Sequence, residues 1–280
     1  MTKTWARGSS TMVRRQLGRR LRALRVAASK TQEDVAATKL MSLGKLKLIE
    51  HGRSMVRPGD VYELGTLYGA DPQTITDLRE LASATTQGGW WQESAGGLVK
   101  GFETYLDLES STSCLSVFNP TVISGLLQTE AYALAVDEVT TDPALGPAAI
   151  ARNVRLRTQR LPTLLKRDSP PWIDVVLGEA ALQLKVGDDE VMAAQREHLL
   201  EVNRLDNVTI KVLLHDAGPH RGLTGPFTIL DFDDPEDPSV AYIDSYVGAR
   251  YDDREGPVRR HREVFRILSA QAVPLKEYFT

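Results

Sequence analysis

The stretch Thr31–Gly52, TQEDVAATKLMSLGKLKLIEHG, constrains this chain more than any other. Thr31 has the short hydroxyl side chain of a helix N-cap, and Gln32 and Glu33 follow it in the first turn. Val35 and Ala36 are small and apolar, as close packing of one short helix on another requires. Ser42 caps a second helix, in which Leu43, Leu46 and Ile49 or Glu50 alternate with Gly44, Lys45 and Lys47, and Gly52 is its C-terminal stop. Two short helices joined by a tight turn are therefore the frame that the neighbouring segments must fit.

Those neighbours also read as helices. Val13, Leu17, Leu21, Leu24 and Ala28 recur at steps of three and four, which makes one apolar face of an amphipathic helix. Arg14, Arg15, Arg19, Arg22 and Arg25 occupy its other face. Residues 1–11 are polar and read as a frayed tail. Pro58 stands at the N1 position of a helix through Tyr68, with Val61, Leu64 and Leu67 turned inward. Asp71–Pro72 opens a fifth helix in the same way, to about Ala82.

Charge is unevenly divided. Residues 1–58 hold 14 Lys and Arg against three acidic residues, Glu33, Asp34 and Glu50, a balance of +11; the whole chain stands at −3, so the remainder carries −14. A basic head on an acidic body points to a polyanion as the head's partner, and double-stranded DNA is the first candidate. A membrane surface would call for Trp or Phe along an amphipathic apolar face, and the head has no such stripe. No apolar run approaches the ~20 residues of a bilayer span, and no secretory h-region is evident. A single cysteine, Cys114, rules out an intrachain disulfide and reads as a small buried hydrophobe. The expected compartment is a reducing cytoplasm.

Five helices in this order resemble the Xre and phage-repressor family of helix-turn-helix DNA-binding domains. The matching residues are LGRRLRALR, TQEDVA, Ser42, IEHGR and the RP at 57–58. The resemblance implies that the helix opened by Ser42 lies in the major groove of a pseudo-palindromic operator, bound by a homodimer. It implies a phosphate contact for Gln32, backbone anchoring by Ser42 and Arg53, and base reading by Lys45 and Lys47. Family members often carry Gln or Ser where this chain has Leu43 and Gly44. Leu43 offers apolar contact to a thymine methyl, and Gly44 allows close approach. The resemblance further implies a structural pair between Glu50 and Arg25.

The expected organisation is a head over 1–82, a linker over 83–91 and a body over 92–280, in the α+β class. In the body, Cys114–Phe118, Trp172–Leu177, Val208–Leu214, Phe227–Phe232 and Val240–Asp244 read as strands. Helices are expected over 129–139, Ala148–Leu161 (ending or kinking at Pro162), Glu179–Leu184, Glu190–Arg204 and Glu255–Ala270. This order predicts a mixed sheet with packed helices. Val191, Ala194, His198 and Leu199 or Val202 are the expected inward side of the helix over Glu190–Arg204.

The segments GGWWQE, GFETYLDLE, GLLQTEAYA, NVTIKVLL and GPFTIL resemble an actinobacterial domain of unknown function that follows Xre-type heads, in antitoxin-like regulators of the Scr1/WhiJ type. The resemblance implies a small partner protein, or a small-molecule effector, for the body. Candidate ligand or partner residues are Trp90, Trp91, Glu109, Gln128, Arg152 and Arg155. The adjacent tryptophans can serve as core anchors or as a stacking surface. The Arg-rich helix over 152–160 reads as a partner face or as support for an anionic ligand. An alternative role is that of an antitoxin-like module that sequesters its partner and binds DNA only to regulate itself.

Catalytic signatures are missing from the sequence. It has no P-loop, no GxGxxG after a strand and no GxSxG elbow. His215, Asp216 and His220 lie close together without a fourth ligand at metal spacing. The acidic run Asp231, Asp233, Asp234, Glu236 and Asp237 lacks the glycine and terminal glutamate of a calcium loop. No enzyme activity, metal or cofactor is therefore expected.

Overall fold

A computed structural model describes residues 10–84, 102–141, 146–233, 237–244 and 249–280. Trp90 and Trp91, most of the expected linker and part of the acidic turn lie outside these residues. The chain divides into two compact units, Met1–Gln92 with Leu106–Ser111, and Glu93–Tyr105 with Thr112–Thr280.

Over residues 10–84 the first unit runs through α1 (Ser10–Ala27), α2 (Gln32–Ala37), α3 (Leu43–Glu50), α4 (Pro58–Leu67) and α5 (Pro72–Ala84). Val13, Leu17 and Leu21 of α1 meet Val35, Leu46, Ile49, Val61, Leu64, Leu78 and Leu81 in one apolar core. Each such side chain, once buried, contributes roughly 1.5–3 kcal/mol. Thr31 and Asp34 form a reciprocal capping box, Thr31 Oγ1 accepting from Asp34 N and Asp34 Oδ2 from Thr31 N.

Two glycines are needed where α1 crosses α3. A Cβ on Gly18 would stand 2.3 Å from the Ile49 carbonyl oxygen, and one on Gly52 would stand 2.6 Å from the Arg15 Cα. Gly52 is also left-handed, with φ +65. It allows Gly52 N to donate to Ile49 O and Arg53 N to donate to Leu48 O, the paired bonds that close a helix C-terminus. Any L side chain at Gly52 would meet both obstacles.

The helix α6 (Phe102–Glu109) follows. The second unit is then built on a seven-stranded mixed sheet of order β6-β5-β4-β1-β2-β3-β7. Its strands are β1 (Cys114–Asn119), β2 (Trp172–Gly178), β3 (Val208–Leu213), β4 (Phe227–Asp231), β5 (Val240–Ile243), β6 (Arg250–Asp252) and β7 (Val273–Pro274). The pairs β1–β2 and β2–β3 are parallel, and the others are antiparallel. The α+β class is as expected.

Between β1 and β2 run α7 (Glu130–Thr140) and α8 (Gly146–Leu165), and between β2 and β3 run α9 (Glu179–Gln183) and α10 (Asp189–Val202). The closing helices are α11 (Glu255–Gln271) and α12 (Leu275–Tyr278). Val258, Phe265 and Leu268 of α11 pack on Phe118, Val176, Leu213, Phe227, Ile229 and Ala241, covering one sheet face.

Several local expectations change. The helix α8 continues through Pro162 to Leu165, because Leu161 and Leu164 are buried and hold the last turn in place. The inward face of α10 centres on Gln195, Leu199 and Val202, and Ala194 is exposed. Gln195 is fully buried because its carboxamide is used in place: Oε1 accepts from Thr129 N at 2.8 Å, and Nε2 donates to Leu127 O at 2.7 Å. It thus secures the loop that enters α7. The short edge strands β6 and β7 have too few residues to show a period.

Candidate nucleic-acid interface

Glu50 holds the helix-turn-helix together. Its side chain is 1% exposed and accepts from Arg25 Nε at 2.6 Å, Arg25 Nη2 at 2.9 Å and Gln32 Nε2 at 2.7 Å. One carboxylate therefore ties α1, α2 and α3. Burial pushes the Glu50 carboxyl up, but the hydrogen bonds from Arg25 and Gln32 outweigh it and hold the group below its ordinary value. The same hydrogen bond raises Arg25. Tyr68 lies beside this node, and burial together with the Glu50 charge pushes its phenol up to about 12. The expected Arg25–Glu50 pair is present.

With those groups turned inward, α3 offers solvent a narrow stripe. Leu46, Ile49 and Glu50 are buried, whereas Gly44, Lys47, Leu48 and His51 are exposed and Leu43 is half-buried. Positions 43, 44, 47, 48 and 51 are spaced as one helix face. Ser42 caps the helix through its Oγ, which accepts from Lys45 N at 3.2 Å. Arg22, Arg53, Arg57 and Lys39 are exposed in the same unit. A cleft of about 440 Å³ lined by Arg22, Arg25, Lys30, Thr31, Gln32, Glu33, Glu50 and His51 opens beside the start of α2.

The residues singled out from the sequence differ in their surroundings. Gln32 opens α2 and donates one amide N–H to Glu50. Lys45 pairs with Asp60 of α4 at 2.7 Å, off the central stripe. Lys47, Gly44 and Leu43 are on the stripe, and Arg53 follows Gly52 at its end. Leu48 and His51 were not singled out, although an i, i+4 count from Gly44 and Lys47 would have found both. His51 Nδ1 lies 2.6 Å from Lys47 O; a carbonyl only accepts, so this nitrogen carries the proton and Nε2 faces away.

In the second unit the candidates scatter. Gln128 is buried, donating to Ile123 O at 2.8 Å and accepting from Arg157 Nη1 at 3.2 Å. Arg157 also pairs with Asp137 at 2.6 Å, and Arg160 is buried against Tyr105, its Nη2 donating to the phenol oxygen at 3.1 Å. Two arginines of the helix expected to be a partner face or a support for an anionic ligand, Arg157 and Arg160, thus turn toward neighbouring side chains. Arg155 is exposed and Arg152 half-buried. Glu109 is buried and falls in the first compact unit.

Four further groups in the second unit, His215, His220, Asp231 and Cys114, sit in local structure. His215 N donates to Glu179 Oε2 at 2.7 Å, and His220 Nδ1 accepts from Gly222 N at 3.1 Å. Asp231 is held by two hydrogen bonds from Arg262, at 2.9 and 2.7 Å. Burial pushes the Cys114 thiol up to about 11, which makes it a poor nucleophile. Among the described residues no group of three or more His, Cys, Asp or Glu could hold a metal, and no helix is long and apolar enough to cross a membrane.

The family model of a domain of unknown function, DUF5753, matches residues 102–277. The chain belongs to the DUF5753 family. A helix-turn-helix domain model matches residues 16–81, which contain the capping box, the Glu50 node and the exposed stripe. Comparison with curated proteins and with solved structures returned no match. The DUF5753 region comes without an assigned chemistry, so the DNA-binding class of this regulator rests on the helix-turn-helix unit.

Proposed function

We propose that this chain is a sequence-specific transcription regulator that binds double-stranded DNA as a homodimer, with α3 in the major groove of each half-site. The observation that carries this reading is the exposed α3 stripe of Gly44, Lys47, Leu48 and His51, set among exposed cations in a unit that matches a helix-turn-helix model. A helix presented this way places side chains at base edges while neighbouring cations meet phosphate. Lys47 is the polar reader; Lys45, tied to Asp60, positions α3 and α4 at the backbone. Arg53 and the Ser42 end of α3 anchor phosphate.

A single head covers little DNA, so two-fold pairing on a pseudo-palindrome supplies the rest of the affinity. The DUF5753 region is the sensing part of the regulator, and its input is a small partner protein or a small-molecule effector. The resemblance in sequence to antitoxin-like regulators supports a role of that kind in the cytoplasm. Selection of bound duplexes from a random pool by the full chain tests the DNA reading. A shared inverted repeat is the expected result; recovery of sequences with no common pattern would overturn it.

A further inference from the structure

Leu48 is 48% exposed at the centre of a face otherwise made for a polyanion. Lys47 precedes it, His51 lies one turn on, and the cations Arg22, Arg53 and Arg57 are exposed in the same unit. Residues four apart share a helix face, so Leu48 stands on the same side of α3 as Gly44. A Cβ placed on Gly44 would have nothing within 4 Å. Leu48 is therefore an exposed apolar group on the same face as the open space over Gly44, with Leu43 half-buried one turn back.

Lys47 and the surrounding cations favour nucleic acid over an apolar protein surface at this position. Base edges in the major groove present hydrogen-bonding groups at every base pair and a single kind of apolar group, the thymine 5-methyl. We propose that Leu48, with the space left by Gly44, is a specificity-determining residue that reads this methyl group, so that each half-site carries a thymine fixed by apolar contact. The proposal rests on the DNA-binding reading above and adds the base and the residue that recognises it.

The experiment replaces each thymine of the selected duplex, one at a time, by deoxyuridine, which removes only the methyl, and measures binding of the full chain by fluorescence anisotropy. One or two positions per half-site should lose roughly three- to fivefold, the effect of about one methyl returned to water. Leu48→Ala should bind the thymine duplex more weakly by a similar factor and show no further loss with deoxyuridine. Because Leu48 is exposed, an unchanged thermal transition should accompany it. Leu48→Gln should shift the preferred base at that position from thymine towards adenine, through a bidentate amide contact.

Uniform tolerance of deoxyuridine would overturn the proposal while leaving DNA binding intact. So would a Leu48→Ala protein that keeps the deoxyuridine penalty. Failure to select any common sequence would sink both this proposal and the reading on which it rests.

Discussion

The head and the DUF5753 region both contain an arginine-rich helix, and each turns part of the row inward against different partners. In α1, Arg25 turns inward to bind Glu50, while Arg20 and Arg22 stay exposed. Arg15 is buried as well, and Arg14 and Arg19 are half-buried, so the exposed part of the row in the head is Arg20 and Arg22. In α8, Arg157 and Arg160 both enter the body, against Asp137, Gln128 and Tyr105. A row of arginines therefore does not by itself mark a binding face. What separates the two cases is where the burial pattern of the partner helices leaves room.

The comparison can be broken at its buried carboxylates. Glu50→Ala leaves Arg25 buried without its partner and should cost about 3–5 kcal/mol, enough to melt the head. Hydrogen exchange resolved by unit should then show protection lost over 13–82 and retained in the sheet. Arg157→Ala is expected to act on the other side of the comparison, lowering the body's stability by about 2–3 kcal/mol, less because that guanidinium is partly in water. Asp137→Asn should be milder, since desolvation already holds this carboxyl above its ordinary range despite Arg157.

Acidification separates the units in another way. Glu50 is depressed in the folded head, so its contribution is complete above its ordinary 4.5 and is lost as pH falls through the folded value. Asp137 is raised, so its contribution is complete below its ordinary 3.8 and is lost as pH rises through the folded value. The head should therefore lose protection first in an acid titration followed by hydrogen exchange. Loss beginning in the α7–α8 region would contradict these assignments. At the small end, Ser42→Ala removes the α3 cap and should lower the head's thermal stability by about 1 kcal/mol, with no change in the body.

How much was legible follows the same division. The head's helices were readable because their punctuation is local: Thr31, Ser42, Gly52 and Pro58 each act within a turn of where they stand. The Arg25–Glu50 pair came only from family resemblance, since no local rule links residues 25 apart. The body's main strands were visible as Val- and Ile-rich runs. The order β6-β5-β4-β1-β2-β3-β7, and the roles of Gln195 and Arg160, depend on partners tens of residues away. Leu48 is not legible for another reason: a leucine on a short helix looks like core until its neighbours' burial is known, and here it is 48% exposed.

The central claim is that the α3 stripe reads the bases of DNA while the cations around it meet phosphate. A salt titration of binding to the selected duplex, run for the full chain and for Lys47→Ala and Lys45→Ala, tests it most directly. The wild-type chain should show log affinity falling steeply and linearly with log salt. Lys47→Ala should lower both affinity and preference for the selected sequence, whereas Lys45→Ala should weaken all sequences alike and reduce the slope by about one. A slope near zero, or a Lys47→Ala protein that binds and discriminates like the wild type, would contradict the account.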